Sequence, residues 1–156
     1  MKRDRNLQPL SRQHHNGLLM ALLLSKGEKK HADLKIMGDF ILDGWKKELK
    51  DHFLMEEKIL MPALQDKVFN HELSNRVLSE HDQIRMIISR IEQGLFTTTD
   101  LHQFHQTLEQ HIRFEERIYF PEAEKILSME ELQRIGLLLY QGETGNCTDY
   151  PVKFWE

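Results

Sequence analysis

A phrase of eleven residues is written twice in this chain, as "HFLMEEKILMP" from His52 and as "HIRFEERIYFP" from His111. Each copy reads His, three residues, Glu-Glu, a basic residue, three apolar residues and Pro. On an α-helix, residues i and i+4 lie one turn apart on the same face. His52 with Glu56, and His111 with Glu115, therefore each aim an imidazole and a carboxylate at one point. A fold that makes use of both copies must be helical there and must turn the two grips toward each other.

The rest of the chain allows this. Apolar residues recur at helical spacing between Pro9, Pro62, Pro121 and Pro151, and no segment alternates as a strand would. The spacing predicts a first helix from about Leu10 to Lys26, stopped by Gly27. A second should start at Ala32 or Asp33 and reach about Leu64, weakened or bent by Gly38 and Gly44 and kinked or ended by Pro62. A third runs from about Asn70 to Gln93, with Gly94 as its stop. "TTTD" caps a fourth, from about Asp100 to Ile126. Ser128 with Glu131 forms a capping box for a short fifth helix ending near Tyr140. Residues 141–156 read as an irregular tail, from which Phe154 and Trp155 can pack back onto the body. The fold class expected is all-α: residues 1–156 as a single domain, an up-down-up-down four-helix bundle with a short additional C-terminal helix.

Nine histidines are several times the number expected at this length, and five of them (His14, His15, His52, His81 and His111) fall within apolar segments. "LSRQHH" lies on the first helix and "LSEH" on the third. Each half of the chain thus offers a His on one helix and a His-x-x-x-Glu on the next. His81 and one of His14 or His15 would join His52, Glu56, His111 and Glu115 to give four imidazoles and two carboxylates. Taken singly, a His-x-x-x-Glu is usually a surface ion pair and a lone buried His is usually packing. Two identical grips and two further histidines on four separate apolar stripes make metal ligation the better reading. Nitrogen and oxygen donors without thiolate suit iron, manganese or zinc, and two bridging carboxylates favour a dinuclear centre. Glu57 and Glu116 follow their histidines by five residues and should be turned away, solvated or paired with Lys58 and Arg117. Tyr119 reads as core.

A formal charge of −4 over 156 residues, with 40% hydrophobic and 29% charged residues, suits a globular protein and offers no nucleic-acid surface. Cys147 is the sole cysteine, which excludes an internal disulfide and suggests a reducing compartment. The apolar run Leu18–Leu24 is too short to span a membrane, and no cleavage pattern follows it. The expected setting is cytoplasmic, with neither nucleic acid nor membrane as partner and with a homodimer through the C-terminal segments as an option.

The order His, His-x-x-x-Glu, His, His-x-x-x-Glu resembles the hemerythrin-like family of HHE cation-binding domains, over about Leu10 to Ile126. The resemblance implies a four-helix bundle around a non-haem di-iron centre, bridged by carboxylates and an oxo or hydroxo group. Its ligands here would be His52, Glu56, His81, His111 and Glu115, with His14 or His15 from the first helix. One departure stands out. Oxygen-carrying members place a second His one turn after the third-helix His, and this chain has Arg85 there; their second carboxylate would correspond to Glu116. The missing nitrogen argues against reversible dioxygen carriage, and His102 and His105 are rotated too far from His111 to replace it. The function implied is a metal-binding protein that senses, buffers or stores iron, dioxygen or nitric oxide. The alternative is a di-iron enzyme that reduces dioxygen, peroxide or nitric oxide.

Overall fold

The computed structural model describes residues 2–140 and 150–156, and the described elements are all helical. Helix α1 is Gln8–Lys29. Helix α2 is one continuous rod of five pieces, Leu34–Gly44, Trp45–Leu49, Lys50–Met55, Glu56–Leu60 and Met61–Gln65, of which the second and fourth are π-turns. Helix α3 is His71–Glu92. Helix α4 joins Thr98–Phe114, a π-turn at Glu115–Tyr119, and Phe120–Ile126. Helix α5 is Met129–Leu139.

Local chemistry sets most of these boundaries. Pro9 sits in the first turn of α1, where a missing N–H costs nothing. The side chains of Asp33 and Asn70 accept from the backbone N–H of Ile36 and Glu72, and Thr97 with Asp100 and Ser128 with Glu131 form complete capping boxes. One sequence expectation fails here. Gly27 does not stop α1, which continues to Lys29 and turns at His31 with φ 54°. The glycine is there for closeness: a Cβ on it would lie 2.7 Å from Met37 Sδ and 2.8 Å from Phe154. Of the two alternatives at Pro62, ending α2 there is not the one realised, and the rod passes Pro62 to finish close to the expected Leu64. The π-turn before the proline closes with the Met61 N–H on the Glu56 carbonyl, an i→i−5 bond. The widened turn keeps the proline ring off the carbonyl four residues back, and the rod runs on to Gln65.

Cross-helix contacts fix the topology. Against α4, Arg3, His14 and Glu28 meet Glu124, Glu115 and His102 in turn. Rising numbers on one side meet falling numbers on the other, so α1 and α4 run antiparallel. The same holds for α1 with α2 (His14 on His52, Met20 on Gly44), for α2 with α3 (Phe53 on Arg85, Glu56 on His81), and for α3 with α4 (Arg76 on Phe114, Glu80 on His111, Arg90 on Asp100). This is an up-down-up-down four-helix bundle. Helix α5 closes one end, where Lys67 Nζ lies 2.7 Å from Glu131 and the Tyr140 hydroxyl donates to the Arg5 carbonyl at 2.9 Å. From the tail, Tyr150, Phe154 and Trp155 pack their rings around Phe40. Residues 141–149 of the expected tail, Cys147 included, lie outside the described residues. No described helix is long and apolar enough to cross a membrane.

The core comes in two blocks. One gathers Met20, Leu24, Phe40, Ile41, Phe53, Ile84, Phe104 and Ile112; the other gathers Leu7, Leu10, Leu60, Leu64, Val77, Phe114, Tyr119 and Phe120. His52 and Glu56 on α2, and His111 and Glu115 on α4, fall in the layer where one block gives way to the other.

Glu48, in the first π-turn of α2, is 6% exposed. Its Oε2 accepts from the Asn16 amide, while Oε1 has no hydrogen-bond partner. Burial pushes its carboxyl up from 4.5 to about 7, against the opposing pull of Asn16. A carboxyl that holds its proton more tightly when folded contributes most stability below its unfolded value and loses it as pH rises from 4.5 to about 7. Glu48→Gln should therefore raise the stability of the chain by about 2 kcal/mol near pH 8 and leave it nearly unchanged near pH 4. Thermal melts at the two pH values check this; an equal effect at both would contradict it.

Candidate metal centre

Six side chains from the four long helices meet in the layer between the core blocks. His14 comes from α1, His52 and Glu56 from α2, His81 from α3, and His111 and Glu115 from α4. None is more than 3% exposed. His52 Nε2 lies 3.4 Å from Glu56 Oε2, and His111 Nε2 lies 2.9 Å from Glu115 Oε1, which are the two i,i+4 grips of the repeated phrase. His14 Nε2 reaches Glu115 Oε1 at 3.1 Å, and His81 Nε2 reaches Glu56 Oε1 at 3.1 Å. The side chains fall into two overlapping sets, His14, His52, Glu56 and Glu115, and Glu56, His81, His111 and Glu115; within each set the ligand atoms lie within 4.8 Å of one another. Both carboxylates belong to both sets.

Around these six stands an outer ring. His52 Nδ1 donates to Gln13 Oε1 at 2.6 Å, His81 Nδ1 to Glu57 Oε2 at 2.6 Å, and His111 Nδ1 to Glu80 Oε1 at 2.9 Å. His14 Nδ1 faces Glu116 Oε2 at the longer distance of 3.6 Å. At His52, His81 and His111 the oxygen at Nδ1 keeps the proton on that nitrogen and turns the Nε2 lone pair inward, the tautomer a metal requires. Glu57 is held in turn by Arg85, whose Nη1 lies 2.8 Å away, and Glu116 by the Ser11 hydroxyl at 2.9 Å and by Arg3. Aromatic faces fix the rings further, with Phe53 stacked on His81 at 3.8 Å and Phe120 on His14 at 5.3 Å.

Charge in the layer is finely divided. Burial and the neighbouring charge of Glu115 push the Glu56 carboxyl well above its usual range. Burial works the same way on Glu115, but the positive charge of His111 and hydrogen bonds from Glu56 and His14 hold its carboxyl well below that range. Burial is overcome at His111, which Glu115 and Glu80 push up to about 9, and at His14, which Glu115 and Glu116 raise. Burial prevails at His81, lowered to about 4 with help from the His111 charge, and at His52, lowered well below its ordinary value. The balance favours protons at Glu56, His14 and His111, in places where cations would otherwise neutralise the carboxylates.

Four buried atoms of the layer have no hydrogen-bond partner: His14 Nδ1, Glu56 Oε2, His111 Nε2 and Glu115 Oε2. Native interiors rarely leave buried polar atoms so. Three of the four point at the shared space, and imidazole nitrogen with carboxylate oxygen is a donor set for a first-row metal ion. The residues fit a metal centre.

Of the two first-helix candidates, the structure places His14 in the layer and leaves His15 exposed on the outside of α1. His15 is one residue on, and so turned away from the interior. Glu57 and Glu116 correct the sequence expectation. They pair neither with Lys58 and Arg117 nor with water alone, but turn to the helices beside them and hold His81 and face His14. The π-turns that start at Glu56 and Glu115 account for this. An extra residue in the turn narrows the angle between neighbouring side chains, so the second Glu stays on the flank facing the next helix. Arg85 pairs with Glu57. Tyr119 is core, its hydroxyl 2.8 Å from Ser74 Oγ. His102 and His105 lie off the layer, against Glu28. Sequence reasoning missed Gln13 and Glu80, each immediately before a first- or third-helix His; that shared position was the available signal.

Metal competes with the protons that Glu56, His14 and His111 hold more tightly than usual. Loading at neutral pH should release protons, and metal affinity should rise as pH climbs toward about 9. Titration calorimetry in buffers of different ionisation heat counts them. Zero release at pH 7 would overturn this protonation pattern.

Comparison with curated proteins and with solved structures returns no match. The family model described as the hemerythrin HHE cation-binding domain matches residues 9–123, which contain all six inward-facing residues of the layer and their outer partners. On that match, and with its histidines and glutamates gathered in one buried layer, the chain belongs to the hemerythrin HHE cation-binding family.

Proposed function

We propose that the layer holds two iron ions and that the protein senses, buffers or stores iron, dioxygen or nitric oxide. The observation that carries this reading is the pair of overlapping ligand sets that share both carboxylates. His14 and His52 would hold one ion, His81 and His111 the other, and Glu56 and Glu115 would span the two. Iron bound there supplies one-electron redox chemistry and a position for a diatomic ligand; manganese or zinc suits the same donors less specifically. The chain's own part is to orient and to exclude. Gln13, Glu57 and Glu80 set the rotation of three of the rings, and Glu116 faces the fourth. Phe53 and Phe120 pack against them and keep bulk water away. The three outer carboxylates make the imidazoles more basic, which favours the more oxidised metal.

That last point also supports a second reading, a di-iron enzyme reducing dioxygen, peroxide or nitric oxide. Arg85, in the position of a fifth nitrogen, serves the outer ring and leaves the centre rich in carboxylate. The reduced, iron-loaded protein mixed rapidly with each gas separates the two. A stable adduct that reverses on removing the gas supports binding; decay with repeated consumption of gas supports catalysis.

Ligand variants test the assignment itself. Glu56→Ala and Glu115→Ala should each abolish binding of both ions, because each carboxylate serves both sets. Glu57→Ala and Glu116→Ala should weaken affinity by roughly 10- to 100-fold and leave the stoichiometry at two. Metal analysis after growth with iron reads both; protein that stays metal-free under those conditions refutes the proposal.

A further inference from the structure

A second group of metal-ligating side chains lies away from the layer, between the end of α1 and the beginning of α4. His102 and His105 are three residues apart on α4, on one side of the helix. Glu28 faces them from the last turns of α1. His102 Nδ1 is 3.0 Å from Glu28 Oε1, and His105 Nε2 is 3.5 Å from Glu28 Oε2. One ligand atom from each of the three lies within 4.8 Å of the others. His105 is six residues before His111, about 9 Å along the helix axis, and Glu28 is about 21 Å along α1 from His14. Nothing is shared with the ligands of the central layer.

An ion pair accounts for His102, which is half exposed and hydrogen-bonded to Glu28. It does not account for His105. That residue is 7% exposed, and its Nε2 has no hydrogen-bond partner. At 3.5 Å from Glu28 Oε2 the nitrogen is too far for a good hydrogen bond. The distance is close to the roughly 3.3 Å that separates two ligands of one tetrahedral zinc ion. The protonation states agree with the geometry. Burial lowers the His105 imidazole, keeping it neutral with a lone pair to give; the two histidines hold the Glu28 carboxyl below its usual range against burial, keeping it anionic. On the outer side a cavity of 560 Å³, lined by Glu28, His31, Thr98, Leu101 and His102 among others, leaves room for water in a fourth position.

We propose that Glu28, His102 and His105 form a separate, mononuclear site for a divalent cation of the zinc class. Two imidazoles, one carboxylate and an open fourth position make a donor set for zinc, cobalt, nickel or copper(II), and the solvent-facing side lets the ion exchange while the central layer stays closed. The site is independent of the di-iron reading and stands if that reading falls.

The test is zinc binding by equilibrium dialysis of the full chain, with far-UV circular dichroism on every variant. The native chain should bind one zinc ion more than His102→Ala, a change at an exposed position that leaves the helices intact. Glu28→Gln should weaken that one ion at least about tenfold. Glu56→Ala should keep it while losing zinc from the layer. Cobalt gives a second readout: an absorption band of a tetrahedral site, present in Glu56→Ala and absent in His102→Ala. Equal zinc in the native chain and His102→Ala overturns the proposal, as does unchanged affinity in Glu28→Gln, which would mark an adventitious histidine pair. Neither result bears on the central layer, whose ions are counted by the difference between the native chain and Glu56→Ala.

Discussion

The rest of the structure depends on two carboxylates, Glu56 and Glu115, placed face to face with no exposure to solvent. Leaving two like charges buried without compensation is among the costliest arrangements in a protein interior, several kcal/mol for each ion even after relaxation. The bundle meets that cost with four imidazoles, a Glu56 carboxyl that holds its proton more tightly than usual, and an orientation that suits cations. Each other polar choice in the layer follows from it. The imidazoles must present Nε2 inward, so each Nδ1 needs an oxygen outside; three of those oxygens belong to carboxylates, so Arg85 and Arg3 stand behind two of them. A charge introduced at the centre is neutralised step by step outward until it reaches solvent.

Those steps obey a twofold logic that the helices make visible. His14 on α1 faces Glu116 on α4, as His81 on α3 bonds Glu57 on α2. Gln13, just before His14, serves His52 of the same half, as Glu80, just before His81, serves His111. The symmetry is broken at one pair, where an amide stands in one half and a carboxylate in the other. An anion behind an imidazole makes it a stronger donor than an amide does. His81 and His111 therefore form the more electron-rich side of the layer, and His14 and His52 the poorer one.

Much of this was open to sequence reasoning because helix geometry is periodic and short-range. The i,i+4 spacing gave both grips, the apolar stripes gave four rods, and "TTTD" and Ser128 with Glu131 gave caps that the structure contains. Three things were not legible. Whether His14 or His15 faces inward turns on a single step of rotation about α1, which the apolar pattern around the pair did not fix. Gly27 reads as a stop because glycine ends many helices; its actual use is close approach to Met37 and Phe154, and that partner comes from the far end of the chain. The outer ring is made of contacts between different helices, which no local spacing encodes.

The π-turns join these strands of argument. Regular α geometry would carry the second Glu of each phrase round toward solvent, and the proline five residues later would press its ring on the preceding turn. Widening the turn at Glu56–Leu60 and at Glu115–Tyr119 relieves both at once. It seats a proline inside a rod that does not end there, and it holds Glu57 and Glu116 against the neighbouring helices. The phrase is long because its parts serve one local geometry: a His and a Glu to face inward, a second Glu to face sideways, and a Pro placed where only the widened turn accepts it. It occurs twice because a centre shared by two carboxylates needs the same turn from two opposite walls.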